Sequence, residues 1–305
     1  MRLAVTGATG TIGGAVVREL VGRGDEVTAL SRDADRASSR LGVAAVTWAD
    51  PQREPVPAEA LRGRDAVVHL LGEPLAQRWS DDVKREISDS RVLSTRNLVH
   101  GLAEVPEAER PRVLVSQSGS GWYGARRDER LDESASPGDD FVARMAADWE
   151  AEARRGEELG IRVAITRTGV VVAPEGGALE RMLPFFKLGL GGPVAGGRQY
   201  LPWVHLDDVT GAMAFCLDTD AARGPLNVSA PEPVTNKQFA AALGRVLRRP
   251  AFAPAPALAL RLLYGEMATI VITGQRAVPA RLIELGYRFR RPDLEDALRD
   301  ATSRR

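Results

Sequence analysis

The first dozen residues carry the clearest pattern of apolar and polar positions in the chain. Residues 3–5 form a short apolar run that predicts a buried parallel strand, and a glycine-rich turn follows at residues 6–11. Beyond the turn, apolar side chains recur at helical spacing, at Ile12, Val16, Val17, Leu20 and Val21. The pattern therefore predicts a strand, a glycine turn and a helix in direct succession.

The three glycines of this turn have separate roles in such a unit. Gly7 permits a tight turn, Gly10 lets a pyrophosphate approach the backbone, and Gly13 lets the helix pack closely on the strand. The helix N-terminus, with unpaired N–H groups and a partial positive charge, would face the phosphates. A glycine turn that binds nothing is the alternative, but the flanking strand and helix favour a dinucleotide site. Its predicted binding residues are Gly7, Thr9, Gly10, Thr11, Ile12 and Gly13.

A second predicted strand at residues 26–30 ends where dinucleotide-binding domains distinguish their cofactors. A carboxylate at this point accepts from a free ribose 2′-hydroxyl, whereas a basic side chain suits a 2′-phosphate. Arg32 is the basic option, and Ser31 adds a hydroxyl group. An exposed arginine at the start of a loop is the alternative interpretation. The pattern favours NADP(H) over NAD(H).

Further apolar runs predict strands at residues 44–48, 66–71, 112–115 and 162–166. Asp50 follows the third strand, where a carboxylate can accept from an adenine amino group. Leu71 ends the fourth run, and Gly72 and Glu73 come next, where a small residue lets a cofactor ribose pass closely. His69, inside that run, is interpreted as a satisfied interior histidine and not as a catalytic base.

The fifth predicted strand leads into a loop at residues 116–124 that is rich in hydroxyl groups and glycine. Ligands of open α/β sheets bind beyond the carboxyl ends of the strands, near the point where strand order switches. We therefore predict Ser118 and Tyr123 as catalytic residues, with a merely structural loop as the alternative.

The pattern changes after residue 172. Residues 174–202 are rich in glycine and proline and too irregular for a further strand–helix unit. Order returns at residues 203–229, and short helices and loops dominate afterwards. We predict an α/β protein with a doubly wound parallel sheet. Residues 1–172, with 203–229 returning to them, form the dinucleotide-binding domain, and 173–202 with 230–305 form a smaller substrate-binding lobe.

Composition excludes several classes of function. The 305 residues carry 41 basic and 41 acidic side chains, a balance that favours neither nucleic acid nor a membrane surface as a partner. The one cysteine, Cys216, excludes an internal disulfide and a cysteine-rich metal site. No apolar run approaches the ~20 residues that span a bilayer, and we expect no signal peptide before the first strand. We expect a soluble, cytoplasmic monomer or homodimer that acts on a small molecule.

Several motifs, in this order, resemble the extended short-chain dehydrogenase/reductases, which include nucleotide-sugar epimerases and dehydratases. An atypical branch of epimerase-like NAD(P)-binding oxidoreductases is closer still, and the resemblance runs nearly end to end. The matching residues are Gly72-Glu73-Pro74, Arg78-Trp79, Ser90-Arg91, Trp149-Glu150, Arg167-Thr168-Gly169, Gly197-Arg198-Gln199, Trp203-Val204-His205 and Asn227. The resemblance implies a Rossmann fold and a bound NADP(H), and we count Arg167 among the cofactor-binding residues.

The family's proton relay is absent from this chain. It normally depends on a Tyr-x-x-x-Lys pair, in which the lysine lowers the pKa of the tyrosine. Phe141 stands where the tyrosine is expected, and Met145 stands at the lysine position. The resemblance then implies that Ser118 polarises an acceptor while Tyr123 or water supplies the proton.

Three functions remain open at this stage. The first is an NADP(H)-dependent reductase or dehydrogenase of a small or medium organic substrate. The second is a nucleotide-sugar epimerase or dehydratase, which oxidises an alcohol and so needs the missing base. The third is a non-catalytic NADP(H)-binding redox sensor, which the missing relay would suit. We favour the first, because the cofactor half of the pattern is complete.

Overall fold

The structure is a computed structural model that describes residues 1–303. Within these residues the strands are β1 Arg2–Thr6, β2 Glu26–Ser31, β3 Ala44–Thr47, β4 Ala66–His69, β5 Val113–Gly119, β6 Arg130–Leu131, β7 Arg162–Thr168, β8 Val170–Val172, β9 Tyr200–Leu201, β10 Trp203–His205, β11 Gly224–Val228, β12 Val234–Thr235 and β13 Arg276–Ala277. The α-helices are α1 Thr11–Gly22, α2 Ala34–Leu41, α3 Ala58–Leu61, α4 Asp81–Glu104, α5 Phe141–Arg154, α6 Gly177–Lys187, α7 Leu206–Asp218, α8 Asn236–Leu247, α9 Ala257–Tyr264, α10 Ala268–Ile272, α11 Ala280–Glu284 and α12 Leu294–Ser303.

Seven strands form one parallel sheet in the order β11-β7-β5-β4-β1-β2-β3. The chain starts in the middle of the sheet, builds outward through β2 and β3, and then crosses to β4 on the other side of β1. This reversal is the switch point at which open α/β sheets bind their ligands. The predicted doubly wound parallel sheet is confirmed, and the carboxyl ends of β1, β2, β4, β5 and β7 meet along one edge.

The sheet is buried on both faces, as its continuous apolar runs predict. Successive residues of a strand point to opposite faces. Leu3 and Val5 accordingly belong to a core cluster with Leu20 of α1 and Met213 of α7. Ala4, between them, belongs to a second cluster that includes Leu98 and Leu102 of α4 and Ala153 of α5. Helices on both faces thus hold β1, and with it the glycine turn, in place.

His69 is a satisfied interior histidine, as the sequence predicts. Its Nδ1 lies 2.8 Å from the Thr6 hydroxyl, and its Nε2 lies 2.9 Å from the Thr95 hydroxyl. The ring is fully buried, and burial lowers its pKa to about 3. The neutral imidazole therefore links β1, β4 and α4 without taking part in proton transfer near neutral pH.

The glycine- and proline-rich stretch contains a helix that the sequence interpretation missed. α6 begins at Gly177 and includes Pro184, two residues that argue against a helix. Its buried side chains are Leu179, Leu183 and Phe186, which recur at helical spacing. They share a core cluster with Trp203 and with α8 and α12. Tertiary packing on this cluster thus outweighs the local preference of glycine and proline.

The segments at 173–202 and 230–303 are connected to each other and to the main sheet. β9 pairs with β12, which joins the two segments. β13 pairs with β6, and Leu282 of α11 belongs to the core cluster of the large sheet. The division into two lobes stays a prediction. Across residues 1–303, no helix is both long and apolar enough to cross a membrane.

Candidate cofactor and substrate site

The turn after β1 has the geometry that a dinucleotide needs. Gly7 has a φ of +63°, and a Cβ there would lie 2.6 Å from the carbonyl oxygen of Leu70, the residue that follows β4. A Cβ on Gly13 would lie 2.1 Å from the Gly7 carbonyl oxygen, so only glycine lets α1 approach the turn. Gly10 precedes α1, and within the described chain no side chain caps this helix. The N–H groups of its first turn can therefore bind an anion.

The residue before α6 lies close to the glycine turn. Gly176, just before α6, lies so close to the turn that a Cβ on it would be 2.5 Å from the Thr11 hydroxyl oxygen. Thr11 and Gly10 are nevertheless exposed, and Thr9 is half-buried. The N-terminus of α1 therefore stays accessible beside α6, and the residues present there fit a pyrophosphate.

The end of β2 presents an unpaired cation. Arg32 is exposed, and among residues 1–303 no carboxylate forms an ion pair with it. Ser31 Oγ accepts from the Asp33 N–H at 3.2 Å, and Asp33 in turn caps α2 by accepting from the Arg36 N–H at 3.0 Å. The loop is thus fixed by its own hydrogen bonds, which leaves the Arg32 guanidinium able to bind an external anion.

Asp50 shapes the turn after β3. Its Oδ1 accepts from the Gln52 N–H at 3.2 Å, and its other oxygen lies 3.7 Å from Arg53 Nε. The carboxylate is 41% exposed and keeps acceptor capacity for a ligand. Its predicted role at the adenine stays a prediction.

The segment after β4 is held by two residues of α4. Glu73 N–H donates to Ser90 Oγ at 3.0 Å, and the Arg91 guanidinium donates to the carbonyl oxygens of Glu73 and Ile87 at 2.8 and 2.9 Å. A Cβ on Gly72 would lie 2.8 Å from Arg91 Cζ. A side chain at position 72 would therefore displace this guanidinium, a contact that differs from the predicted passage of a ribose. Burial lowers the pKa of Arg91 to about 10.

The Ser118 hydroxyl is hydrogen-bonded to a buried ion pair. Its Oγ donates to Glu150 Oε1 at 2.8 Å. The Arg167 guanidinium donates to both oxygens of the same carboxylate, at 2.8 and 2.9 Å. Glu150 and Arg167 are 1% and 2% exposed, and the guanidinium stacks 3.9 Å from the centroid of the Trp122 ring. The network fixes the position and the donor direction of the serine hydroxyl.

The structure does not place the Tyr123 phenol at a substrate cavity, where its predicted catalytic role would require it. The side chain is fully buried. Its oxygen lies 2.7 Å from Asn227 Oδ1 and 3.0 Å from the Asp132 carbonyl oxygen, and it accepts from Arg167 at 3.2 Å. Burial raises the pKa of this phenol to about 12. These contacts join the loop after β5 to β11.

The Arg167 side chain is likewise buried in the interior. The sequence interpretation placed it among the cofactor-binding residues, but its guanidinium is bonded to Glu150 and Tyr123 in the interior. Arg167 is connected to Ser118 through the Glu150 carboxylate, which both residues contact, and its predicted role at the cofactor stays a prediction. Glu150 itself was visible in the sequence only as part of a family motif, because a single carboxylate within a helix carries no signal of its burial.

A cavity of about 310 Å³ lies beyond the carboxyl ends of β5 and β7. Ile12 of the glycine-turn unit lines one part of it, and Ser118 and Ser120 line another. The wall is mainly apolar and includes Leu75, Trp79, Phe141, Val142, Met145, Trp149, Tyr200 and Ile270. Among the described residues that line it, Asp140, Glu266 and Arg91 carry charge. The cavity thus connects the dinucleotide turn with the predicted catalytic serine.

The two positions of the missing relay both line this cavity. Phe141 and Met145 lie one turn apart on α5, and Phe141 packs edge-on against Trp79 with 5.2 Å between ring centroids. The face of α5 on which the family carries its tyrosine and lysine is therefore apolar here. The remaining wall residues, above all Trp79, Tyr200 and Glu266, were not predicted, because they come from segments far apart in the sequence.

The parallel sheet, the glycine turn at its switch point and the adjoining cavity define a dinucleotide-binding protein of the Rossmann type. More specifically, the chain belongs to the NAD dependent epimerase/dehydratase family, whose model matches residues 3–229. A second family model, a domain of unknown function (DUF1731), matches residues 255–301.

Named relatives extend this result over the whole chain. The epimerase family protein SDR39U1 homolog, chloroplastic, of Arabidopsis thaliana is 36% identical and covers 98% of this chain and 86% of its own length. The crystal structure of human epimerase family protein SDR39U1 (isoform2) with NADPH is 33% identical, with a TM-score of 0.89 and 99% of both chains covered. A UDP-glucuronic acid 4-epimerase from Bacillus cereus, 16% identical with a TM-score of 0.79, shares the fold.

These matches confirm the resemblance to the epimerase-like branch of the extended short-chain dehydrogenase/reductases. They leave the expected cytoplasmic location a prediction, since one relative is named chloroplastic.

Proposed function

We propose that the protein is an NADP(H)-dependent oxidoreductase that reduces a small or medium organic acceptor. The observation that carries the proposal is the cavity itself, because it extends from Ile12 beside the glycine turn to Ser118 beyond β5. A cofactor bound along the turn would place its reactive end at that cavity. The human relative whose structure is named with NADPH supports the choice of cofactor.

The chain offers a place for each part of the cofactor. The first turn of α1, with Gly7, Gly10 and Gly13, would hold the pyrophosphate. Arg32, with Ser31 beside it, would bind the 2′-phosphate, because an exposed guanidinium without a carboxylate partner suits a phosphate dianion. Asp50 would lie toward the adenine. The segment of Leu71, Gly72 and Glu73, held by α4, would lie along the cofactor.

When bound, NADPH supplies a hydride to an acceptor carbon. The protein's own residues position the acceptor and exclude water. The apolar face of α5 supplies Phe141 and Met145 to the wall, and Glu150 fixes the Ser118 hydroxyl. Tyr123 is bonded in the interior and does not line the cavity, so a proton that the product needs would come from water or from a hydroxyl of the wall such as that of Tyr200. The proposal therefore revises the predicted role of Tyr123 from proton donor to structural support.

A non-catalytic NADP(H) sensor is the second candidate, and one observation favours it. Phe141 and Met145 occupy the relay positions, so the cavity lacks the tyrosine and lysine on which the family's usual chemistry depends. The same observation counts against an epimerase or dehydratase, because oxidation of an alcohol needs a base at that place.

A titration followed by an acceptor screen separates these candidates. Fluorescence of NADPH on titration with protein measures cofactor binding. Loss of absorbance at 340 nm is then followed with carbonyl, imine and enone acceptors. A reductase binds NADPH and oxidises it only with an acceptor present. Tight binding without oxidation across the whole screen would instead establish the sensor.

A further inference from the structure

The cavity lacks the tyrosine–lysine pair that would deliver a proton to a reduced carbonyl oxygen. Tyr200 supplies a phenol to the wall, but no lysine is among the described residues that line the cavity. Phe141 and Met145 replace the relay. Of the two carboxyl groups in the wall, Asp140 caps α5 by accepting from the Ala143 N–H at 2.9 Å, and Glu266 is paired with Lys84 at 2.8 Å. Both carboxyl groups therefore already have hydrogen-bond partners within the protein. Hydride addition to a ketone forms an alkoxide, which needs a proton donor at that oxygen.

Ser118 is also unsuited to polarise a carbonyl. A hydroxyl has one hydrogen, and that of Ser118 is donated to Glu150 Oε1 at 2.8 Å. Glu150 cannot return a hydrogen, because as a carboxylate bonded to Arg167 it acts only as an acceptor. Toward the cavity, the serine therefore offers lone pairs. It suits a ligand that carries an N–H donor better than one that carries a bare oxygen.

The aromatic wall suits a cation. Four ring systems line the cavity, those of Trp79, Phe141, Trp149 and Tyr200. Cations bind favourably over such faces. Three of these rings already have a cation of the protein near them, since Lys84 lies 5.8 Å from the Phe141 centroid, Arg91 5.3 Å from that of Trp149 and Arg276 5.0 Å from that of Tyr200. Among residues 1–303, Trp79 is the ring of this wall that has no such cation over it. Asp140 adds a negative charge that has no ion-pair partner among residues 1–303.

We infer that the acceptor is an iminium ion, an inference that rests on the proposed reductase function. Hydride adds to the iminium carbon and forms a C–H bond, the C=N π pair moves to nitrogen, and a neutral amine results. The two electrons come from NADPH, which becomes NADP⁺. The charge of the acceptor is cancelled by the hydride, so the step needs no proton donor. An iminium acceptor would thus account for three features together: the absence of the tyrosine and lysine, the acceptor role of Ser118 and the aromatic wall.

Matched acceptors test the inference on the unmodified protein. 3,4-Dihydroisoquinolinium, its permanently charged N-methyl derivative and the neutral ketone 1-tetralone share one bicyclic skeleton. We expect NADPH-dependent reduction of both cations, with kcat/KM at least about tenfold above that of the ketone, the order of one charge-assisted contact. Reduction of 1-tetralone at an equal or higher kcat/KM would overturn the iminium inference and leave the reductase proposal standing. NADPH binding without oxidation by any of the three would overturn both.

Binding without turnover supplies a second readout. Quenching of tryptophan fluorescence in the NADP⁺-loaded protein measures affinity for the product-like cation 1,2,3,4-tetrahydroisoquinolinium and for neutral tetralin. Asp140→Asn keeps a good helix cap but removes the charge, and we expect it to weaken the cation about tenfold and tetralin little. Asp139→Asn, at an exposed neighbour outside the cavity wall, is the matched control. Equal affinity of the cation for wild type and Asp140→Asn, with Glu266→Gln also without effect, would contradict a cation site.

Discussion

Replacing Glu150 tests the buried network that positions Ser118. Glu150→Gln preserves size but removes the charge, which leaves the Arg167 guanidinium, 2% exposed, without its ion-pair partner. Removing one partner of a buried pair costs about 3–5 kcal/mol. An unfolding entropy of about 2.1 cal/mol/K per residue gives about 640 cal/mol/K for the chain of 305 residues. The expected fall in Tm is therefore about 5–8 °C.

Differential scanning calorimetry at constant pH measures this change. Glu152→Gln is the matched control, because Glu152 lies on the same helix and pairs with the partly exposed Arg96 and Arg155. Its loss should cost at most about 1 kcal/mol, or about 1–2 °C. The double variant Glu150→Met/Arg167→Met should recover part of the loss, since it leaves no buried charge unpaired. A Tm for Glu150→Gln equal to that of the control would refute the reasoning.

Three further predictions concern the cofactor, the serine and the buried histidine. Arg32→Asp should weaken NADPH about tenfold to a hundredfold and NADH little; equal losses in a fluorescence titration would show that Arg32 does not bind the 2′-phosphate. Ser118→Ala should lower kcat on a verified acceptor while the Kd for NADPH stays unchanged, and unaltered kcat would remove the serine from the site. For His69, burial lowers the pKa to about 3, so below its unfolded pKa of about 6.5 the unfolded chain binds the extra proton. This group should lower the free energy of unfolding by about 1.4 kcal/mol for each pH unit as the pH drops from 6.5 toward 3. In urea unfolding, the plot of this free energy against pH should therefore be less steep for His69→Gln than for the wild type, by the amount that corresponds to about one proton.

The fold could be predicted where burial requires an unbroken run of apolar residues. The first strand, the glycine turn and α1 follow from residues 2–22, because a strand covered on both faces must be apolar throughout. Phe141 and Met145 could be identified as the relay positions by resemblance, and the structure puts both in the cavity wall. The α6 helix could not be predicted, since its stability comes from contacts with Trp203 and α8 that lie far away in the sequence.

The surroundings of Ser118 and Tyr123, the predicted catalytic residues, were less predictable for the same reason. A tyrosine in a hydroxyl-rich loop looks identical in sequence whether its phenol faces a ligand or the interior. The Tyr123 phenol faces the interior, where Asn227, about a hundred residues later in the sequence, accepts its hydrogen bond. Similarly, the direction of the Ser118 hydrogen depends on Glu150 from α5. Such pairings are set by topology and leave no local pattern.

Isotope transfer tests most directly whether the protein is a reductase. NADPH carrying deuterium at both C4 positions is incubated with the protein and an iminium acceptor, and the product is analysed by mass spectrometry. We predict one deuterium per product molecule, bound to the former iminium carbon, with NADP⁺ formed in equal amount. Cofactor that binds to the protein but stays reduced, with no deuterium in any acceptor of the screen, would contradict the proposed function.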